Sequence, residues 1–495
     1  MLEVAVLVCS TLASAAVLSF LFFRILSSSP SSPRTKSVAL VVLGDIGRSP
    51  RMLYHVQSFA RHGYETSILA YRGSAPPKEL TENEKVEFVY LATHFSWIGG
   101  LAKPLFLALL PLKVLAGAWG LLWALLVLPA PPAYLFVQNP PAIPTLAIVK
   151  LAALLRGSRV IIDWHNTGYS VLALRLGPTH PVVRFARFLE LLFGRTAYAH
   201  LCVSDAMKTQ LAEEAKLNGN LVTLHDRPPA SFRRQTPEEA HELFSRLPEL
   251  STLATSFLPA LPLAPDTTLF SSASSGLLPS RPALLVSATS WTADEDFSIL
   301  LSALELYERA ARTSSSGAGG LKDPQNSAPQ RLPRVVVLIT GKGAGKKAFE
   351  QDVQRREKGW EWVRVRTAWL AREDYPKLLG SADVGISLHT STSGIDLPMK
   401  VVDMFGCGLP ALALDFPCVG ELVKDGQNGR TFNTAEDLAD QLITLLRGFP
   451  HTGASELDRL RQGIAQARYR GEPGRLWGNW DETWDEVVMP LLEAQ

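Results

Sequence analysis

Short apolar stretches of β-type sequence alternate with helix-length segments along most of this chain, in two separate series. Strands separated by helices favour a parallel sheet with helical crossovers, so each series predicts a doubly wound, Rossmann-like α/β domain. A chain of 495 residues also exceeds what one hydrophobic core usually organises. The predicted strands are Val38–Leu43, Tyr64–Tyr71, Val86–Leu91, Ala133–Gln138, Arg159–Asp163 and His200–Ser204 in the first series, and Ala283–Ala288, Arg334–Thr340, Trp362–Arg366, Val384–Leu388 and Pro410–Ala413 in the second.

The two series set the predicted domain boundaries at 37–225 and 282–455. Between them, 226–281 is rich in Pro, Ser, Ala and Leu and is interpreted as an interdomain segment. Inside the second domain, 313–333 has the Ser, Gly and Pro content of a flexible insertion. The final segment, 456–495, carries tryptophans at helical spacing and predicts a C-terminal helix that packs back on the first domain.

The N-terminal segment, 1–36, is predicted to be a transmembrane anchor with its linker. Val4–Phe23 is a run of about twenty residues without a charge, the length needed to cross a bilayer as a helix. Glu3 precedes the run and no small-residue cleavage site follows it, which favours an uncleaved, single-pass anchor over a signal peptide. Basic residues on the C-terminal side place the body of the protein in the cytosol: Arg24, Arg34, Lys36, Arg48 and Arg51.

A second apolar region, 97–129, is predicted to be a membrane-associated hairpin. Its longest clean run, Val114–Leu128, is too short to span a bilayer comfortably. Its aromatic residues and lysines suit a segment that lies on the membrane surface or inserts partly. A buried core helix stays open as the alternative, because the run is apolar on all sides. The interruptions are Lys103, Pro104, Pro111 and Lys113.

Composition excludes several classes of function. The net charge is only +2, with no basic run interleaved with aromatics, so nucleic acid is not an expected partner. Four scattered cysteines and isolated histidines form no metal-binding pattern, and no metal site or cofactor is predicted. The first strand lacks the GxGxxG fingerprint and GKGAGKK lacks P-loop spacing, which disfavours dinucleotide-dependent oxidoreductases and ATP hydrolysis.

The segment Leu397–Pro410, LPMKVVDMFGCGLP, has the layout of a nucleotide site. A Ser-, Thr- and Gly-rich loop leads into a short helix, whose unpaired N–H groups and dipole favour phosphate. Lys400 adds a positive charge, and Asp403, about one turn further on, can accept a ribose hydroxyl. The alternative is a buried helix with a solvated Lys-Asp pair.

Ligands of open α/β sheets bind beyond the carboxyl ends of the strands. In the second domain, four loops in that position carry polar or glycine-rich sequence and are candidates to line a ligand site. They are Ser287–Asp296, Gly341–Lys347, His389–Lys400 and Asp415–Glu421.

As a set, seven segments closely resemble the chitobiosyldiphosphodolichol β-mannosyltransferases, a family of glycosyltransferases of the GT-B class. The resemblance covers most of the chain apart from the low-complexity insertions and the extreme C-terminus. The segments are Val41–Glu65, Phe136–Pro144, Ile161–Ser170, His225–Pro229, Ser287–Glu308, Leu338–Gly343, and Leu397–Pro410 with the preceding SGID.

The resemblance implies a GT-B fold and transfer of mannose from GDP-mannose to GlcNAc2-diphosphodolichol, giving a β-1,4 linkage. The implied location is the cytosolic face of the endoplasmic reticulum membrane, with other dolichol-pathway mannosyltransferases as candidate partners. An α-linked donor and a β-linked product mean inversion, which calls for a general base on the acceptor hydroxyl. Three alternatives stay open: another mannosyltransferase of the dolichol pathway, a catalytically silent scaffold for one, and a nucleotide-dependent oxidoreductase or epimerase.

In the wider GT-B pattern, two glutamates eight positions apart contact the donor. By that comparison Asp403 stands in place of the second glutamate and Ser393 in place of the first, with two extra residues between them. We expect Asp403 to bind ribose and Lys400 or Lys346 to neutralise the departing diphosphate. The other predicted donor-site residues are Ser287, Thr289, Gly341, Lys342, Gly343 and Gly394.

The general base is expected in the first domain, where three side chains follow strands. Asp45 is ranked first because a carboxylate needs no particular tautomer, and His165, next to Asp163, is ranked second. Asp45 as a helix cap and His165 as a packed residue are the structural alternatives. Arg48 is expected to meet the acceptor's diphosphate, with Gly44 and Gly47 lining the same loop.

Overall fold

The computed structural model describes residues 34–93, 100, 102–257, 266–292, 295–315, 331–390, 394–450, 455–469 and 479–494. They form two compact units. The first takes in the chain up to Val203 with Met207–Thr223, and the second Ser204–Ala206 with the chain from Leu224 onward. The predicted anchor within 1–36 lies almost entirely outside the described residues.

The first unit is built on a seven-stranded, fully parallel sheet with strand order β3-β2-β1-β4-β5-β6-β7. The order reverses between β1 and β4, which creates a topological switch point at the carboxyl ends of those strands. The strands are β1 Arg34–Asp45, β2 Glu65–Tyr71, β3 Val86–Leu91, β4 Pro132–Asn139, β5 Arg159–Trp164, β6 Thr196–Cys202 and β7 Asn218–Thr223. The helices are α1 Pro50–Arg61, α2 Lys78–Thr81, α3 Lys103–Val127, α4 Thr145–Arg156, α5 Gly168–Leu176, α6 Pro181–Gly194 and α7 Asp205–Ala215.

The second unit repeats this plan with a six-stranded parallel sheet of order β12-β11-β10-β13-β14-β15 and a small antiparallel pair, β8-β9. Its switch point lies between β10 and β13. The strands are β8 Ser271–Ser272, β9 Gly276–Leu277, β10 Ala283–Ala288, β11 Val335–Thr340, β12 Val363–Ala368, β13 Val384–Ser387, β14 Ala411–Leu414 and β15 Gly429–Phe432. The helices are α8 Pro237–Arg246, α9 Pro248–Phe257, α10 Phe297–Ser315, α11 Lys346–Glu357, α12 Asp374–Ser381, α13 Met399–Gly406, α14 Ala435–Leu446, α15 Glu456–Tyr469, α16 Trp480–Val487 and α17 Met489–Glu493.

Both faces of the second sheet are buried, as a parallel sheet requires. Along β10, Leu284 and Val286 join one apolar cluster while Ala283 and Leu285 join the other. In the first sheet, β1 is buried over Ser37–Val42, and most of β4 is buried as well. Because both faces are buried, these strands have continuous apolar sequences rather than alternating apolar and polar residues.

The apolar region predicted as a hairpin forms one continuous helix over its described part, so that prediction is wrong there. Helix α3 begins at Lys103 and continues through Pro111. Pro104 lies in its first turn, where the missing N–H of a proline costs little. Within it, Leu109–Val127 is long and apolar enough to cross a membrane by length and composition, with a mean hydropathy of 1.8 and 17% of the window buried. A core helix would bury far more of its surface.

The segment interpreted as interdomain belongs to the second unit and is folded where it is described. Helices α8 and α9 bury Leu243, Phe244 and Leu253 in the same cluster as Leu284 of the central strand. A capping box of Thr236 and Glu239 starts α8. Of the predicted insertion 313–333, all but the ends lies outside the described residues. The described C-terminal helices belong to the second unit, and their predicted contact with the first domain stays a prediction.

A buried ion-pair network holds the start of the central strand β10. Asp383 is fully buried, receives two hydrogen bonds from Arg281 at 2.7 and 2.8 Å, and accepts the backbone N–H of Leu284 at 2.9 Å. Arg461 lies 3.2 Å from the same carboxylate. Burial alone would raise the pKa of Asp383, but the charge of Arg281 holds it at about 2.

Asp383→Asn should destabilise the chain by about 3–5 kcal/mol, because it leaves the buried guanidinium of Arg281 without its counter-charge. Urea unfolding followed by tryptophan fluorescence measures the loss. Asp352→Asn, which removes a carboxylate of a surface pair with Arg355, is the matched control and should change stability by less than about 1 kcal/mol. Equal effects of the two substitutions would contradict the role assigned to the buried network.

Candidate active site

In the second unit, the four predicted ligand loops follow β10, β11, β13 and β14, around the switch point of the sheet. Two glycines bring the first two of these loops together. A Cβ on Gly341 would lie 1.8 Å from the carbonyl oxygen of Thr289, and one on Gly343 would lie 2.1 Å from that of Ser290. Gly341 also has a φ of 150°, a backbone conformation that residues other than glycine rarely adopt. The backbone of GKG therefore packs directly against the loop after β10.

The carboxylate of Glu295 ties this loop to helix α13. It forms an ion pair with Lys400 and accepts the hydroxyl of Thr289. The side chain of Glu295 is only 1% exposed, whereas that of Lys400 is 23% exposed. The side chain of Lys400 is thus anchored by Glu295 and partly exposed to solvent. Glu295 was not singled out from the sequence, although it lies in the predicted loop SATSWTADED.

Helix α13 begins at Met399, and its N-cap residue, Pro398, supplies no side-chain hydrogen bond. No acidic residue stands in its first turn. The N–H of Val401 already bonds the carbonyl of Pro398 at 3.0 Å. The N–H groups of Met399 and Lys400 stand before it, at the end of the helix where the dipole favours an anion. Gly394, at φ 75°, lies in the loop that precedes the helix. Ser393, the residue in place of the first glutamate, lies outside the described residues.

Asp403 has different partners from Lys400. Its carboxylate accepts the hydroxyl of Tyr375 at 3.2 Å. Removal from water raises the pKa of Asp403 to about 7; the Tyr375 hydrogen bond opposes this shift and the charge of Asp226 adds to it. The two residues lie on the same helix and have different partners: Lys400 is paired with Glu295, and Asp403 with Tyr375.

The remaining predicted donor residues also lie at this end of the sheet. Ser287 is buried at the end of β10. Lys342 places its ammonium group 4.1 Å from the ring centre of the exposed Trp369. Lys346 begins helix α11 and lies 3.7 Å from Glu350 in an i, i+4 pair. Lys342 and Lys346 follow β11 and Lys400 follows β13, the two strands that flank β10, and these lysines make this edge of the second unit suited to anions.

In the first unit, Asp45 acts as a cap at the end of β1. It accepts the backbone N–H of Gly47 at 3.0 Å and both the N–H and the hydroxyl of Ser74, at 2.9 and 2.8 Å. Hydrogen bonds from the Ser74 amide and hydroxyl lower the pKa of Asp45. A carboxylate engaged in this way is a weak base, so the geometry favours the structural alternative for Asp45.

The loop around Asp45 has an exposed cation. The side chain of Arg48 is 80% exposed, with its Nε 3.2 Å from the Ser74 hydroxyl. Gly47 packs so tightly that a Cβ would lie 2.4 Å from the carbonyl oxygen of Ser74, whereas one on Gly44 would meet nothing within 4 Å. Arg48 is accessible to an anionic ligand, as its predicted role requires.

Asp163 and His165, at the end of β5, form a dyad. The His165 Nε2 lies 2.7 Å from Asp163, and the guanidinium of Arg51 makes two hydrogen bonds to the same carboxylate, at 2.9 and 2.8 Å. Burial would raise the pKa of Asp163, yet Arg51 and His165 hold it well below its usual range. His55 also lies 3.3 Å from the carboxylate, and burial lowers its pKa to about 4.

This arrangement assigns different capacities to the two members of the dyad. Asp163 is fully buried and stays ionised, so it orients the imidazole rather than meeting a ligand. His165 is 21% exposed and uses Nε2 toward Asp163, which leaves Nδ1 for other partners; the Gln138 Nε2 is 3.5 Å away. A partly exposed imidazole held by a carboxylate through one nitrogen is the arrangement of a general base.

Among the described residues, one group has the ligand types of a metal site: Asp205, His225 and Glu421. Glu421 is already occupied by the backbone N–H groups of Asp205 and Ala206, both at 2.7 Å, and by the His225 Nε2 at 3.2 Å. A cation would have to displace these hydrogen bonds. Glu421 also borders a cleft of about 390 Å³ that reaches Gly394 and Lys424.

Two family descriptions match the chain. Residues 47–225 match a "Glycosyl transferase 4-like domain", and residues 324–448 match "Glycosyl transferases group 1". A chitobiosyldiphosphodolichol beta-mannosyltransferase of Mus musculus is 42% identical over 467 residues, which cover 93% of this chain and 89% of the relative. That of Homo sapiens is 41% identical, with 92% of each covered. The chain belongs to the chitobiosyldiphosphodolichol β-mannosyltransferase family.

This member of the family is a glycosyltransferase with the predicted GT-B fold. Anabaena Alr3699/HepE in complex with UDP and glucose is similar in fold, with a TM-score of 0.57, 16% identity, and coverage of 93% of this chain and 100% of that one. At this identity the likeness shows the fold alone. Another relative, the UDP-glycosyltransferase TURAN of Arabidopsis thaliana, is 41% identical and covers 92% of this chain and 96% of its own.

The raised pKa of Asp403 predicts a pH-dependent stability for this mannosyltransferase. An unfolded aspartate ionises near pH 4, so between about pH 4 and pH 7 the folded chain holds a proton that the unfolded chain has released. The free energy of unfolding should therefore fall, relative to Asp403→Asn, by on the order of 2 kcal/mol as pH rises through this window. Urea unfolding at about pH 5 and pH 8 measures it. The exposed Asp440→Asn serves as control, and equal pH profiles would refute the prediction.

Proposed function

We propose that this enzyme transfers mannose from GDP-mannose to the terminal GlcNAc of GlcNAc2-diphosphodolichol, with inversion to a β-1,4 linkage. The observation that carries the proposal is the identity of 41–42% to named chitobiosyldiphosphodolichol β-mannosyltransferases over more than nine-tenths of the chain. A dolichol-linked acceptor accounts for a membrane anchor, and we place the reaction at the cytosolic face of the endoplasmic reticulum. Other dolichol-pathway mannosyltransferases are the partners we propose.

The donor half of the proposal rests on the second unit. A departing nucleoside diphosphate gains negative charge, which preformed positive groups stabilise. Lys400, anchored by Glu295, and the first N–H groups of α13 supply that charge, and the glycine loop after β11 permits close backbone approach. We assign Lys346 and Lys342 to the rim of the same site. Asp403 keeps its proposed role as the ribose contact.

The acceptor half rests on the first unit. We propose that His165 takes the proton from the attacking hydroxyl of GlcNAc through Nδ1, while Asp163 fixes the ring through Nε2. Inversion requires this proton to leave as the hydroxyl attacks the anomeric carbon in line with the departing diphosphate. Arg48, exposed at the end of β1, is proposed to meet the diphosphate of the acceptor.

Donor and acceptor choice test the proposal directly. The purified chain is given GDP-mannose or UDP-glucose, each with GlcNAc2-diphospho-lipid or with the same acceptor already carrying one mannose. We expect transfer from GDP-mannose to the unmannosylated acceptor only. Transfer to the mannosylated acceptor would favour a later step of the pathway. A preference for UDP-glucose would favour a UDP-sugar donor, the class that the name of the Arabidopsis relative indicates.

His165→Ala should lower turnover by about 10²- to 10⁴-fold, the range for loss of a general base, with little change in the dissociation constant for GDP-mannose. Asp45→Asn should keep turnover within about tenfold of the native enzyme if its carboxylate is only a cap. Turnover by both variants and GDP-mannose binding by calorimetry distinguish the two candidates. Loss of activity in Asp45→Asn with an active His165→Ala would reverse the assignment.

Lys400→Gln should weaken GDP-mannose binding by about 10- to 100-fold, as expected when one charge-assisted contact to phosphate is lost. Lys347→Gln is the matched control, because Lys347 is an exposed lysine in the first turn of helix α11. An unchanged dissociation constant in Lys400→Gln would remove Lys400 from the donor site. The same measurement on Asp403→Ala tests the ribose contact.

A further inference from the structure

Helices α5 and α6 present a large apolar surface to solvent. The two helices are consecutive and pack together. The surface, here called the α5–α6 face, includes Phe185 and Phe188, which are 62% and 60% exposed. Contiguous exposed side chains of this size in a folded domain mark an interaction site. The large apolar residues of the face are Val171, Leu174, Leu176, Val182, Phe185, Phe188 and Leu192.

The exposure follows from the orientation of α6. Val183, Glu190 and Gly194 form its buried side, and a Cβ on Gly194 would lie 2.7 Å from the ring of Trp164. Phe185, Phe188 and Leu192 are spaced along the outer side. Because the opposite side of the helix is packed against the domain, these three side chains face solvent.

The same face is positively charged. Within 168–195 the chain has four arginines and one acidic residue, Glu190. Glu190 is buried and accepts the backbone N–H groups of Gly168 and Tyr169 at the start of α5. Arg187 is paired with Glu214. Arg175, Arg184 and Arg195 are exposed and form no ion pair with the described part of the chain.

The cations surround a shallow cleft of about 470 Å³ on α6. It is lined by Arg184, Arg187, Arg195 and Lys216 next to Phe188, with Glu214 as the acidic residue. Arg187 is paired with Glu214, so Arg184, Arg195 and Lys216 are the cations that can hold the phosphate of a lipid headgroup while the ring of Phe188 enters the acyl region. Phenylalanine and leucine on one side of a helix with arginines along it are the composition of helices that lie in a membrane interface.

The face is continuous with other exposed apolar surface of the first unit. Helix α4 contacts both α3 and α6, and it exposes Leu151, Leu154 and Leu155, with Leu154 81% exposed. Helix α3, the candidate membrane span, exposes Leu115 and Trp119 on the same unit. The apolar surface therefore extends from α3 across α4 to α6.

We propose that the α5–α6 face docks on an anionic lipid bilayer, with Phe185 and Phe188 in the interface and Arg184 and Arg195 on lipid phosphates. A second copy of the chain fits less well, because a symmetric contact would place the same arginines against each other. An acidic protein surface would satisfy the charges but would leave the continuity with α3 unexplained. The inference does not depend on which sugar or acceptor the enzyme uses.

The test places a fluorophore on the face in the full-length protein reconstituted in vesicles. Phe188→Cys carries an environment-sensitive nitrobenzoxadiazole label, in a Cys9→Ser background; Cys202, Cys407 and Cys418 are buried. Vesicles contain phosphatidylcholine with or without phosphatidylserine, and a nitroxide on the acyl chain acts as quencher. Arg355→Cys, at an exposed position of α11, carries the control label.

We expect blue-shifted emission and strong nitroxide quenching at position 188 in vesicles with phosphatidylserine, less in phosphatidylcholine alone, and little at position 355. Arg184→Glu with Arg195→Glu should abolish the gain from phosphatidylserine, whereas Arg355→Glu should not. Equal, water-like emission at 188 and 355 in both vesicles would overturn the proposal. Two other results would also overturn it. In detergent, a label at position 188 that becomes more shielded as the protein concentration rises would indicate contact with a second copy. In vesicles, quenching that the double charge reversal leaves unchanged would exclude the arginines from lipid binding.

Discussion

The reversal of strand order in each parallel sheet is the constraint on which the rest of this structure depends. In the first sheet, β2 and β3 lie on one side of β1, and β4 to β7 lie on the other. In the second sheet, β11 and β12 lie on one side of β10, and β13 to β15 lie on the other. Loops that leave neighbouring strands at such a point diverge and open a crevice at the carboxyl edge. Glu295 lies in the loop after β10 and Lys400 at the start of the helix after β13, on either side of the second reversal. His165 follows β5, which lies beside β4 at the first reversal. The order of the strands in each sheet thus determines where the residues of the proposed reaction lie.

Much of the fold could be predicted from the sequence because both faces of the central strands are buried. Val38–Val42 and Leu284–Val286 are continuous apolar runs for that reason, and a strand exists at each position where such a run was recognised. Strands β7 and β15 were missed, since edge strands such as Asn218–Thr223 and Gly429–Phe432 are polar and carry little apolar signal. Helix α3 was misjudged because prolines were taken as breaks.

The candidate site could be predicted only as far as local composition allows. Glycines and lysines in loops after strands pointed to phosphate, but side-chain pairing joins residues far apart in sequence: Lys400 to Glu295, and Arg51 to Asp163. Ser74 donates a hydrogen bond to the carboxylate of Asp45, and the sequence of the loop GDIGRS gives no indication of this partner. Such partners decide whether a carboxylate is a base, a cap or an orienting group, and the order of base candidates changed accordingly.

Inverting transfer of mannose from GDP-mannose fixes the configuration of the product, which can be measured. The purified enzyme is incubated with radiolabelled GDP-mannose and GlcNAc2-diphospho-lipid, and the product is digested with β-mannosidase or α-mannosidase. We expect a product from which β-mannosidase alone releases the label. Release by α-mannosidase would contradict inversion and with it the general base assigned to His165; no transfer from GDP-mannose would contradict the donor assignment.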